Sequence, residues 1–154
     1  MIQNKAFIYK GIPEAFPIAG RHLAIEDIGF DECAPPPENG FTSQNLYASF
    51  DPSQRSSMRD PEIQSFSTAL EIGKPVVSHN IIGKVLKSAN SKFKEGTIVL
   101  LESLGTESFS IVLENSAERA RVLHPQEGIP LTAYLGALGW TGNTGYGTFM
   151  LTPD

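Results

Sequence analysis

A mainly β fold, a partly open β-barrel with short helices, is what this sequence predicts, and three observations carry the prediction. Six short segments rich in Ile, Val, Phe and Tyr run from residue 6 to residue 113. Turn-forming stretches, GIPEAFP, CAPPPENG and KEG, divide them. Only beyond Pro125 does the apolar spacing become helical, with Leu131, Tyr134, Leu135 and Leu138 in PLTAYLGALGW.

Taken in order, the strands are expected at 6–9, 22–28, 46–50, 76–86, 97–101 and 108–113. The stretch SQRSSMRDPEIQSFS is the most polar interior region, and reads as a long surface excursion within one domain. PVVSHNIIGKVLKS is long for one strand and holds Gly83 at its middle, where a missing side chain marks a bulge, a close backbone approach or a barrel corner. A C-terminal helix is expected over 130–138, halted by the glycines of GWTGNTGYG.

The totals exclude several classes of function. A chain of 154 residues has one domain's length, enough to bury about two-thirds of its unfolded surface. With 12 basic against 17 acidic side chains and a net charge of −5, it lacks the basic footprint of a nucleic-acid binder. No apolar run has signal-peptide or membrane-span length, so neither export nor a bilayer is expected. Cys33 is the only cysteine, which precludes an internal disulfide and suits a reducing, cytoplasmic compartment. It stands beside three prolines and reads as a loop or edge residue, with a catalytic thiol as the alternative. His22 and His124 read as surface residues, no H-E-x-x-H is present, and no metal is expected.

The glycine cluster of 139–147 raises the question of a nucleotide. A dinucleotide cradle needs G-x-G-x-x-G after a buried strand and opening a helix. Here the order is GNTGYG, and a helical pattern precedes it. A bend or hinge is therefore expected there.

Four stretches, NGFTSQNLYASFDPSQRSSMRD, GKPVVSHNIIGKVLKS, FKEGTIVLL and PLTAYLGALGWTGNTGYG, resemble in order the N-terminal half of the zinc-independent medium-chain reductases. That family includes prostaglandin reductases and NADPH-dependent double-bond reductases. The resemblance implies a GroES-like barrel forming the substrate side of an active site. It also implies that 139–154 is a remnant of the crossing to a Rossmann domain absent from these residues. No cofactor is then expected on this chain alone, and NADPH only where such a domain is supplied.

The same resemblance matches DPSQRSSM to a turn that lines the family's cleft. Asp51, Pro52, Arg55 and Met58 match its pattern, whereas Ser53 replaces a tyrosine and removes a phenol. Arg55 is open to a second account, in which it only pins the turn. His79 and Asn80 interrupt an apolar strand. His79 is placed either as an acid or base or as a hydrogen-bonded histidine at the barrel rim. Trp140, with Thr141, Asn143 and Tyr146, follows the last helix; Trp140 would either wall a pocket or cover core. No G-x-S-x-G is present and no serine is expected to pair with a histidine, so a hydrolase is not anticipated.

The candidate set is thus His79, Arg55 and Ser53 for catalysis, with Asp51, Met58, Asn80, Trp140, Thr141, Asn143 and Tyr146 for substrate. Three functions remain open. The first is a stand-alone, cofactor-independent isomerase, dehydratase or cyclase. The second is the substrate-binding half of an NADPH-dependent alkene or enone oxidoreductase, inactive alone. The third is a non-catalytic binding module. The expected partners are a small apolar or conjugated organic substrate and a second copy of the chain, docked through the C-terminal helix region.

Overall fold

Two antiparallel sheets, neither closed into a barrel, organise the chain. The structure is a computed structural model and describes residues 1–151. Strands β1 (Lys5–Tyr9) and β2 (Leu23–Asp27) form the smaller sheet. The larger has the order β6-β3-β4-β5-β7, from β3 (Phe41–Ala48), β4 (Val77–Ser88), β5 (Ile98–Gly105), β6 (Phe109–Val112) and β7 (Arg121–Val122). Every strand pair is antiparallel. Backbone bonds join β1 to the larger sheet: Phe7 N–H to the Thr106 carbonyl at 2.9 Å and Val76 N–H to the Phe7 carbonyl at 2.7 Å.

Period-two alternation explains which residues are inside. Ile81 and Val85 of β4, Val99 and Leu101 of β5, Phe41 of β3 and Val112 of β6 point to one face and are fully buried. Phe93, from the loop after β4, closes that face with its ring 4.8 Å from Phe41. Helix α2 (Glu114–Arg119) covers it through Ala117. A second cluster of Tyr9, Met58 and Val76 ties β1 to the segment before β4.

Strand β3 begins well before the expected 46–50, because its polar residues are satisfied inside the sheet. Ser43 Oγ donates to Asn45 Oδ1, and Asn45 Nδ2 donates to Ser110 Oγ at 2.7 Å. Gly83 lies opposite Asn45, where the register slips between Asn45 and Tyr47. The irregularity is therefore on β3, and Gly83 is the close approach: a Cβ there would lie 3.3 Å from both Leu101 and Ser43.

The C-terminal segment departs from expectation in position. A 3-10 turn occupies Leu131–Tyr134, and helix α3 spans Trp140–Leu151. The glycines do not halt a helix; they allow one. A Cβ on Gly142 would sit 1.7 Å from the Ala137 carbonyl, so only glycine lets α3 start against the preceding turn. The last three residues of 139–154 lie outside the described residues. No helix among the described residues is long and apolar enough to cross a membrane.

Candidate functional site

The turn Asp51-Pro52 opens a short helix, α1 (Ser53–Ser57), and a buried glutamine clamps it to β4. Gln54 Oε1 accepts the Asp51 N–H at 2.8 Å, while its Nε2 donates to the Val77 carbonyl at 2.7 Å. Ser49 adds two ties: its N–H donates to the Asn80 carbonyl at 2.9 Å and its Oγ to Asp51 Oδ2 at 2.8 Å. Ser78 Oγ in turn donates to the Ser49 carbonyl. Together these bonds hold α1 over the strand residue between Ser78 and Asn80, which is His79.

The consequence is a direct contact between side chains 26 residues apart: Ser53 Oγ lies 2.8 Å from His79 Nε2. With the imidazole proton on Nδ1, the serine hydroxyl donates to Nε2. Trp140, the first residue of α3, stacks on the imidazole with centroids 6.0 Å apart and planes 22° from parallel. A cavity of about 590 Å³ opens beside the ring, lined by His79, Gln54, Ser57, Ser103 and the 67–71 segment. Ser103, across the strand pair from His79, has φ 55, a left-handed value that a serine rarely adopts.

This corrects one expectation, since a serine does pair with a histidine here. A second correction concerns His22, which is buried. Its Nδ1 accepts the Ile18 N–H at 2.9 Å and closes the 18–22 turn. His124 is exposed.

The other candidates are placed more loosely. The Arg55 guanidinium donates to the Ala15 carbonyl at 2.7 Å, pinning the turn to the 12–19 loop. Asp51 serves the local turn. Met58 packs into the cluster with Tyr9 and Val76. Asn80 is buried, and Thr141, Asn143 and Tyr146 are exposed on α3. Cys33 is exposed, its N–H bound to Asp31 Oδ1.

Three further residues that no sequence motif marks shape the site and its surroundings. Gln54 is the clamp, Ser103 the strained wall, and Tyr9 a fully buried phenol whose hydroxyl has no partner among the described residues. Burial raises the Tyr9 phenol above its ordinary pKa, and the nearby Arg55 charge opposes that shift. Gln54→Ala should cost about 1–3 kcal/mol, because the Asp51 N–H and Val77 carbonyl lose their partner. Denaturant unfolding measures it, and a variant as stable as the wild type would contradict the clamp.

A second cavity, of about 490 Å³, lies between β1 and β3 and is lined by Phe7, Tyr47, Phe50, Asn45 and Glu107 among others. Ser110 Oγ donates to Glu107 Oε1 at 2.8 Å, and Asn45 Nδ2 reaches the Glu107 carbonyl. Burial raises the Glu107 carboxyl above its ordinary value, with the Ser110 bond lowering it in part. A raised acid stabilises the fold below the unfolded value of 4.5, and that contribution is lost as pH rises through the folded value. The stability of wild type relative to Glu107→Gln should therefore be greatest near pH 4 and fall towards neutrality. Thermal melts of both proteins across that range check the sign.

Among the described residues no group of His, Cys, Asp and Glu could hold a metal ion. Gly142, Gly145 and Gly147 lie inside α3, not between a strand and a helix as a dinucleotide cradle needs.

Comparison with known proteins agrees with this architecture. Residues 25–119 match the family model described as the N-terminal domain of oxidoreductase. An NADP-dependent oxidoreductase of Cochliobolus heterostrophus is 31% identical over 150 residues, covering 97% of this chain and 42% of that protein. The NADP(+)-dependent 2-alkenal reductase of Nicotiana tabacum is 30% identical, over 96% of this chain and 41% of its own. The chain thus spans about two-fifths of the length of these relatives. In fold it is similar to CurA from Vibrio vulnificus, with a TM-score of 0.77 at 18% identity over 96% of this chain and 40% of that one. A second CurA structure, in complex with NADPH, gives 0.73 at 20% identity. With the family model matching most of its length, the chain belongs to the oxidoreductase N-terminal domain family, the GroES-like domain of the medium-chain reductases.

Proposed function

We propose that this domain binds a small conjugated carbonyl compound beside Trp140 and moves a proton on it through the Ser53–His79 pair. The observation that carries the reading is the 2.8 Å contact between Ser53 and His79, a residue that lines the cavity. His79 takes a proton from carbon adjacent to a polarised C=C–C=O system, and the imidazolium returns that proton to another carbon of the dienolate so formed. The net result is a shifted double bond, with dehydration or cyclisation as close variants. Holding a planar substrate against an aromatic wall supplies the orientation such a step needs. All of these groups come from the described residues, so no cofactor enters the reaction.

The relatives' names favour a second reading, in which the same cavity is the substrate-holding part of an NADP-dependent alkene or enone oxidoreductase. Residues 1–151 then bind and orient substrate, and a nucleotide-binding part outside them is required for turnover. The test is to incubate purified protein with conjugated enones in D2O, with and without NADPH, and follow the products by NMR. Deuterium incorporation without NADPH supports the first reading. Turnover only with NADPH supports the second, and neither result would leave both untenable.

The setting is proposed as cytoplasmic, in keeping with a single free, exposed cysteine. A homodimer through α3 is also proposed. Tyr146, Phe149 and Met150 are exposed on this helix, which carries no charged side chain to repel a second copy. Sedimentation should show dimer at tens of micromolar or below, and a protein that remains monomeric there contradicts it.

A further inference from the structure

We infer that Ser53 is also a nucleophile, and that this site accepts acyl groups from small aryl esters. The inference requires the Ser53–His79 contact and the cavity, not the proton-transfer reading above. Serine–histidine acyl transfer is defined by geometry and roles, so the missing nucleophile elbow does not exclude it.

Three features support the assignment. First, Ser53 Oγ and His79 Nε2 are at hydrogen-bond distance in the resting protein, the arrangement a general base needs to take the hydroxyl proton. Second, the imidazolium formed on proton transfer faces the Trp140 ring, whose π-cloud favours a cation. That stacking also fixes the ring plane, a task a carboxylate performs in the familiar triads. Third, the strained Ser103 backbone lies across from His79 on the wall of the same cavity, and such strain persists only where surrounding structure enforces it. Trp140 is 63% exposed, leaving apolar surface on which an aryl leaving group can stack.

The reaction balances with water as the only co-reactant. Ser53 Oγ attacks the ester carbonyl while its proton passes to His79 Nε2. The tetrahedral adduct collapses, the bond from carbonyl carbon to aryl oxygen breaks, and the proton on Nε2 goes to the departing phenolate. Water then attacks acyl-Ser53 as Nε2 takes its proton. The bond from the acyl carbon to Oγ breaks, Oγ recovers that proton, and the carboxylic acid leaves.

The experiment uses p-nitrophenyl acetate and, separately, a fluorophosphonate probe, with intact mass and peptide mapping as the readout. The expected result is one covalent group per chain, mapped to Ser53 and absent from Ser53→Ala. Ser91→Ala, which alters an exposed serine outside the cavity, should keep the adduct. His79→Ala should slow acylation by about 10²-fold, with far-UV circular dichroism showing that each variant folds. Absence of an adduct on the wild type, an adduct elsewhere than Ser53, or acylation at an unchanged rate in His79→Ala would each overturn the inference. Enone turnover is measured on the same preparation, so a failure of acylation is told apart from a failure of proton transfer.

Discussion

Replacing His79 by alanine lowers the rate of double-bond migration in a conjugated enone by about 10²-fold or more, the loss typical of a removed acid or base. Ser53→Ala has a smaller effect in the same direction, because it removes the bond that orients the imidazole and leaves the imidazole itself. Arg55→Ala supplies the contrast. Its guanidinium is engaged on the Ala15 carbonyl, so its loss should loosen the 12–19 loop and leave the rate close to wild type. Rates measured with saturating enone, on variants shown to be folded, test all three. A fall with Arg55→Ala as large as that with His79→Ala would show that the chemistry sits on the other side of α1.

Phe41→Ala is the variant expected to cost most in stability, about 3–5 kcal/mol. The side chain is fully buried at the start of β3, its ring meets Phe93 at 4.8 Å, and it shares a cluster with Ile81, Val99 and Val112. Truncation removes transfer free energy and leaves a cavity that three strands and a loop hold open. Phe66→Ala is the control: that residue is 90% exposed on the long excursion and should change stability by no more than about 0.5 kcal/mol. Urea denaturation of both measures the difference. Equal midpoints would mean that Phe41 is not where the core lies.

The apolar strands were legible in the sequence because a half-buried or buried strand leaves a direct mark. Segments 6–9, 76–86 and 97–101 each overlap an observed strand, and supply Ile8, Val76, Ile81, Ile82, Val85, Val99, Leu100 and Leu101 to the interior. Strand β3 was read too late in the chain because Thr42, Ser43, Gln44 and Asn45 have the composition of a loop. Besides the backbone ladders, Ser43 bonds to Asn45, whose amide closes on Ser110 and Glu107, more than 60 residues away. The C-terminal helix was misplaced for a related reason. Glycine lowers helix propensity, yet Gly142 is in α3 because of a contact with the Ala137 carbonyl that no propensity contains.

The candidate site divides along the same line. Ser53 and His79 each stood out, one as a departure from the family's turn and the other as a polar residue in an apolar strand. Their contact did not, since 26 residues separate them and only the folded turn sets the distance. Gln54 gave no signal at all, because a clamp of one side chain on two backbone groups has no spacing rule. His22 has no neighbouring ligand in the sequence to mark it as buried, because its partner is the backbone N–H of Ile18.

Ser53 and His79 are expected to act as one unit, and a double-mutant cycle on deuterium incorporation into an enone measures their coupling. Ser53→Ala combined with His79→Ala should be no slower than His79→Ala alone. Losses that multiply, or a doubly substituted protein that still exchanges at the wild-type rate, would contradict it.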